Sequence, residues 1–200
     1  MFPLESVLLP GGKISLNVFE PRYLLMMKTV LRCEKEFGVV LIERGSEVGG
    51  GDIRMNVGML TRVVENYLST SGTLLIKTVG VKRIKIQKWL PNTPYPLAKI
   101  VLFPDEDNSI VTSENWERLV KKMRRVLAFL TELGETVAPV NFKVSDDPGI
   151  GIFELAEIAP LSELDKQRIL EGRGLSSRFT LLEEFLEEIT TVTLSRFQRD

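Results

Sequence analysis

The sequence predicts an α+β chain, with a small, mostly antiparallel β-barrel carrying one helix, followed by an α-helical bundle. Two observations lead there. Apolar residues over 1–104 fall in short runs with the period of strands, broken by turn residues, whereas over 113–200 they recur at helical spacing. Charge divides at the same place. Residues 1–104 hold 14 Lys+Arg and 8 Asp+Glu, a net +6; residues 105–200 hold 12 and 19, a net −7. The formal net charge of −1 over 200 residues averages two oppositely charged segments. The expected organisation is a β subdomain over 1–104, a polar linker over 105–112 and a helical subdomain over 113–200.

In the first segment, Ser6 to Leu9 reads as a short strand closed by the turn Pro10-Gly11-Gly12. Ile14, Leu16 and Val18 alternate with polar neighbours, the pattern of a half-buried strand. The single helix starts at Pro21, whose missing N–H costs nothing at a first helical position, with Glu20 at the favourable end of the helix dipole. Leu24, Met27, Val30 and Leu31 give its apolar spacing. Phe37 to Ile42 is a continuous apolar run suited to a central strand. Val57 to Leu68 and Thr73 to Val79 read as a hairpin about Ser69-Thr70-Ser71-Gly72. Gly80 breaks the pattern, Lys82 to Leu90 resumes it, and Leu97 to Phe103 is the last strand.

In the second segment, Ser113 or Glu114 starts a helix with Trp116, Leu119, Val120, Met123, Leu127 and Leu130 on one face, ended by Gly134. Asp147-Pro148 starts the next, with Ile150, Phe153, Ala156 and Glu157 along it. Ser162 caps a third, stopped by Gly172 and Gly174. Ser176 or Ser177 caps the last, whose apolar face is Phe179, Leu182, Phe185, Leu186, Ile189 and Val192.

Composition removes whole classes of chemistry. The chain has no histidine, hence no Ser-His or Cys-His nucleophile pair and no imidazole ligand. Its one cysteine, Cys33, makes no internal disulfide and no cysteine-based zinc site, so a cytoplasmic setting is expected. The stretch Gly45 to Asp52, with Gly49-Gly50-Gly51, lacks the lysine of a phosphate-binding loop. No window approaches 18 uncharged apolar residues. No catalytic residue, metal site or cofactor is expected.

Read in order, Phe2-Pro3-Leu4, Val7 to Gly12 and Leu16-Asn17-Val18-Phe19-Glu20-Pro21-Arg22-Tyr23 resemble the opening of the LON N-terminal (substrate-binding) domain. The likeness continues through Phe37 to Ile42, Glu47-Val48-Gly49, Val57-Gly58-Met59 and Val79 to Ile84, and more loosely through Leu161 to Leu186. The resemblance implies a barrel like that of pseudouridine synthase and archaeosine transglycosylase (PUA-like) followed by helices. It implies a non-catalytic module that binds unfolded or client polypeptides in proteolysis or quality control, with a protease or chaperone as partner. The ATPase and Ser-Lys peptidase segments of Lon proteases have no counterpart in these residues.

Candidate contact residues follow from chemistry. Tyr67, Leu68, Trp89, Leu90 and Tyr95 lie at predicted strand ends and turns, where large rigid side chains suit a peptide-binding patch. Phe19, Glu20, Pro21, Arg22 and Tyr23 read as structural, an ion pair fixing a helix start between packing aromatics. The basic strand Lys82, Arg83, Lys85 and Lys88 beside Trp89 supports the alternative of an RNA-binding module. Its bland reading is a solvated face. No membrane interaction is expected.

Overall fold

Alternation decides how the first strands face. In β2 (Lys13–Val18) Leu16 and Val18 are buried while Ser15 and Asn17 are exposed. The computed structural model describes residues 1–47, 51–91, 93–106 and 110–197; Val48, Gly49, Gly50, Asn92 and three of the expected linker residues lie outside them. The described chain forms two compact units, Met1–Pro104 and Asp105–Asp200.

The first unit adds β1 (Phe2–Leu4), α1 (Pro21–Arg32), β3 (Glu36–Arg44), β4 (Ile53–Leu68), β5 (Leu74–Leu90) and β6 (Leu97–Leu102). Its six-stranded sheet runs β1-β3-β4-β5-β2, with β6 also on β5. Among the described residues only the β1–β3 pairing is parallel. One margin of the long β5 is shared, since β2 pairs with 74–79 and β6 with 84–90. The sheet curls until the Met1 nitrogen donates to the Pro96 carbonyl (2.8 Å), bringing the β1 margin to the chain that enters β6. On α1 the buried side chains are Tyr23, Met26, Met27 and Val30, with Leu24 and Leu31 half-buried.

Three strand assignments change. Ser6 to Leu9 forms no ladder; Val7, Leu8 and Leu9 are buried as loop side chains, and the strand is the preceding Phe2–Leu4. β4 starts four residues earlier than Val57, at Ile53. Gly80 does not break β5. Its N–H donates to Gly12 O and its carbonyl accepts from Gly11 N, both at 3.0 Å. A Cβ there would lie 2.5 Å from Leu9 O. The glycine marks a close backbone approach beside a bulge in the β4–β5 register, not a strand end. Arg83, expected outward, is buried with its guanidinium 4.8 Å from the Phe103 ring.

The second unit holds α2 (Ser113–Glu132), α3 (Pro148–Ile158), α4 (Glu163–Glu171) and α5 (Leu175–Phe197). Its starts are capped by side chains: Thr112 accepts from Asn115 N, Asp147 from Gly149 N and Ser162 from Asp165 N. Gly134, at φ +77°, closes α2 as Glu135 N–H returns to Leu130 O (3.0 Å). All six expected apolar residues of α2 are buried. On α3 the buried face is Ile152, Phe153, Leu155 and Ala156, and Ile150 is exposed. α5 begins at Leu175, and Thr193 rather than Val192 turns inward. Asp105 and Glu106, read as linker, are bound to Arg178 and Arg173. Arg178 is almost fully buried, with its guanidinium 4.7 Å from the Phe153 ring and donating to Gly172 O (3.3 Å).

Candidate functional site

The motif Phe19 to Tyr23 joins β2 to α1, and its two aromatic residues differ in exposure. Tyr23 is buried and stacked on Phe2, with ring centroids 4.3 Å apart. Burial raises the pKa of its phenol. The Arg22 guanidinium lies 4.5 Å from the Tyr23 ring, and Nη2 sits 3.0 Å from the Glu20 carboxylate and 3.5 Å from Glu47 O. Phe19, by contrast, is 58% exposed. Val18 before it points inward, so the two-residue period turns Phe19 to solvent, and the expectation that it packs is corrected.

That exposure brings Phe19 to the other candidates at the β4–β5 hairpin end. Asn17, Leu75 and Tyr67 lie directly opposite one another across β2, β5 and β4, and so share one face. Phe19 follows two residues after Asn17 on the same alternation. Tyr67 is 62% and Leu75 42% exposed. The result is an apolar surface of Phe19, Tyr67 and Leu75 at one end of the sheet. Leu68 is exposed too, but pairs with Leu74 on the opposite face. Leu75 escaped the sequence reading. Its signal was the run Leu74-Leu75-Ile76, since three apolar residues in one strand put at least one on each face.

Trp89, Leu90 and Tyr95 lie elsewhere. Trp89 is fourteen residues from Leu75 along β5, ~46 Å of strand, so the five candidates do not form one patch. Trp89 and Leu90 border an open hollow of about 490 Å3 with Asp52, Ile53 and Arg54. The Arg54 guanidinium lies 4.6 Å from the Trp89 ring and is bound by both oxygens of Asp52. This nearly buried pair holds the Asp52 carboxyl below its ordinary range, chiefly through the Arg54 hydrogen bond. Trp89 therefore has a cation on one face, and Tyr95 is half-buried in the turn before β6. Cys33, just after α1, is exposed.

Among the described residues, no cluster of three or more His, Cys, Asp or Glu is placed to hold a metal ion. No helix among them is long and apolar enough to cross a membrane.

The sequence model of the ATP-dependent protease La (LON) substrate-binding domain matches residues 1–188. The chain belongs to this family. The crystal structure of a Lon N-terminal domain protein from Xanthomonas campestris superposes with a TM-score of 0.68 at 25% identity, covering 93% of this chain and 95% of that one. The N-terminal domain of a Mycobacterium avium complex Lon protease gives 0.60 at 16% identity, covering 92% and 94%, a likeness of fold. No curated protein sequence matches. LON membership accounts for the order of motifs from Phe2 to Ile84 and for a mixed α+β fold carrying α1 to α5.

Proposed function

We propose that this LON-family chain is a non-catalytic module that captures exposed apolar segments of client polypeptides for proteolytic quality control, a partner protein supplying the chemistry. The observation that carries the reading is the solvent-facing surface of Phe19, Tyr67 and Leu75 on three adjacent elements. Aromatic and aliphatic side chains held outward by a rigid sheet contribute contact area at low entropy cost. In this reading Glu20, Pro21, Arg22 and Tyr23 position Phe19 rather than touch the client, and residues 1–104 and 113–200 act as two domains.

The test is fluorescence anisotropy of the full chain with a reduced, carboxymethylated unfolded polypeptide. The doubly substituted Tyr67→Thr/Leu75→Thr chain keeps strand-forming residues and is expected to bind ~10-fold more weakly with an unchanged melting temperature. Equal binding by that variant, or displacement of the polypeptide by oligouridylate, refutes the proposal.

A further inference from the structure

At the other end of β5, β6 is a sheet margin of unusual composition. It pairs with β5 alone among the described residues, so its far side presents about three sets of outward N–H and C=O groups. Four of its six residues are large and apolar, and all four are exposed: Leu97, Ile100, Val101 and Leu102. Ile100 and Leu102 share a face with Ile86 and Ile84, which are buried, yet they are themselves 37% and 55% exposed. The apolar layer under β5 thus continues onto β6, where Ile100 and Leu102 are only partly covered. A long, apolar, unpaired margin is a template for another strand.

Charge narrows what that strand is. On the opposite face the register sets Lys88 directly against Lys99, and Lys85 against Val101. Like charges placed opposite one another are unfavourable. All three lysines are exposed, and none has an ion-pair partner among the described residues. Trp89, the ring on β5 itself at this end, falls on the other face with Ala98 and lies under Arg54, so it is no stacking platform for the lysines.

We infer that β6 takes up an extended polypeptide segment of alternating acidic and apolar residues as an added strand. Its acidic side chains lie over Lys85, Lys88 and Lys99, and its apolar ones extend the layer of Ile100 and Leu102. The inference rests on the reading that the chain binds polypeptides, and it names a segment chemistry for that activity. The lysines also repel basic segments, so the same three residues select and exclude.

The probe is a fluorescein-labelled octapeptide of alternating glutamate and valine, with the lysine-valine octapeptide as its control. Saturation of the full chain is expected to slow hydrogen exchange at the outward amides of Leu97 to Leu102 at least tenfold. The combined Lys85→Glu/Lys88→Glu/Lys99→Glu variant is expected to weaken the peptide about tenfold at low salt. It keeps its melting temperature, because exposed side chains alone are changed. Unchanged exchange in β6 at saturation, equal binding of a fully N-methylated octapeptide, or the same protection from oligouridylate overturns the inference. If the octapeptide fails while the unfolded polypeptide still binds through Tyr67 and Leu75, strand addition alone falls. If neither binds, both readings fall.

Discussion

Arg22→Ala separates a scaffolding motif from a recognition motif. Arg22 has two measurable supports in the fold. Its ion pair with Glu20 spans 3.0 Å between side chains only 23% and 20% exposed, and its guanidinium lies 4.5 Å from the Tyr23 ring. A pair at this exposure lies at the upper end of the surface range, ~1 kcal/mol. The cation–π contact adds ~0.5–1 kcal/mol. Truncation also uncovers part of Tyr23 through loss of the aliphatic stem, for a total of ~2 kcal/mol. For a unit of about 100 residues this lowers the melting temperature by roughly 8–16 °C. Glu20→Gln keeps the volume and loses the charge, so it costs about half as much, and the double variant falls short of additivity by ~0.5–1 kcal/mol. Thermal melting of the full chain, with hydrogen exchange in α1 and β3 to localise the loss, measures all three. An unchanged melting temperature with client binding abolished refutes the reasoning and makes Arg22 a contact residue.

Other changes test the frame around the two surfaces. Gly58→Ala places a Cβ 2.2 Å from the Val39 carbonyl oxygen, a backbone atom that cannot step aside, so β3 and β4 are forced apart. The loss is ~3 kcal/mol, read as a lower denaturant midpoint. Asp52→Asn tests the Arg54 pair. Because the folded carboxyl titrates below its unfolded value near 3.9, its stabilisation is full above that value and disappears as pH falls through the lowered one. The variant is expected to be less stable at neutral pH and to lose less stability than the parent on acidification below about pH 4. Asp147→Ala removes the α3 cap and costs ~1 kcal/mol, seen as faster exchange at the Gly149 amide.

The helical half was the more legible. Asp147 and Ser162 are local signals, acting on amides two or three residues away, and α2 kept its apolar stripe because helical period and core face coincide. The β half depends on register, which no local signal carries. Gly80 looks the same in sequence whether it ends a strand or admits another backbone. Phe2–Leu4 is too short to show a period, while Val7, Leu8 and Leu9 are apolar enough to imitate one. The same limit scattered the candidate contacts. Tyr67 and Leu68 are adjacent yet face opposite ways, and Trp89 is separated from both by the length of β5. Only the cross-strand pairing puts Tyr67 beside Leu75 and within reach of Phe19.

Charge asymmetry takes on a different meaning once the pairs are known. In Asp105–Asp200 basic side chains find acids within their own unit, as in Arg118–Glu183, Lys122–Glu187, Arg173–Glu106 and Arg196–Glu135. The Glu187 carboxyl is held below its ordinary range by Lys122. The excess acid of that half is what remains after internal pairing. Among the described residues of Met1–Pro104 the pairs include Arg22–Glu20, Arg54–Asp52, Arg62–Glu36 and Lys77–Glu65, none of these at β6. Lys85, Lys88 and Lys99 are among the basic side chains of that unit with no such partner among the described residues, and they face solvent together at β6. Surface pairs contribute ~0–1 kcal/mol each, so salt has little hold on the fold. It has a strong hold on a ligand that meets three unpaired lysines. Raising ionic strength from about 0.01 M to about 1 M shortens the screening length from ~30 Å to ~3 Å. Across that range the melting temperature is expected to move little, while affinity for the glutamate-valine octapeptide falls at least tenfold. A salt-independent affinity means that the lysines do not touch the peptide, and the apolar margin of β6 binds without regard to charge.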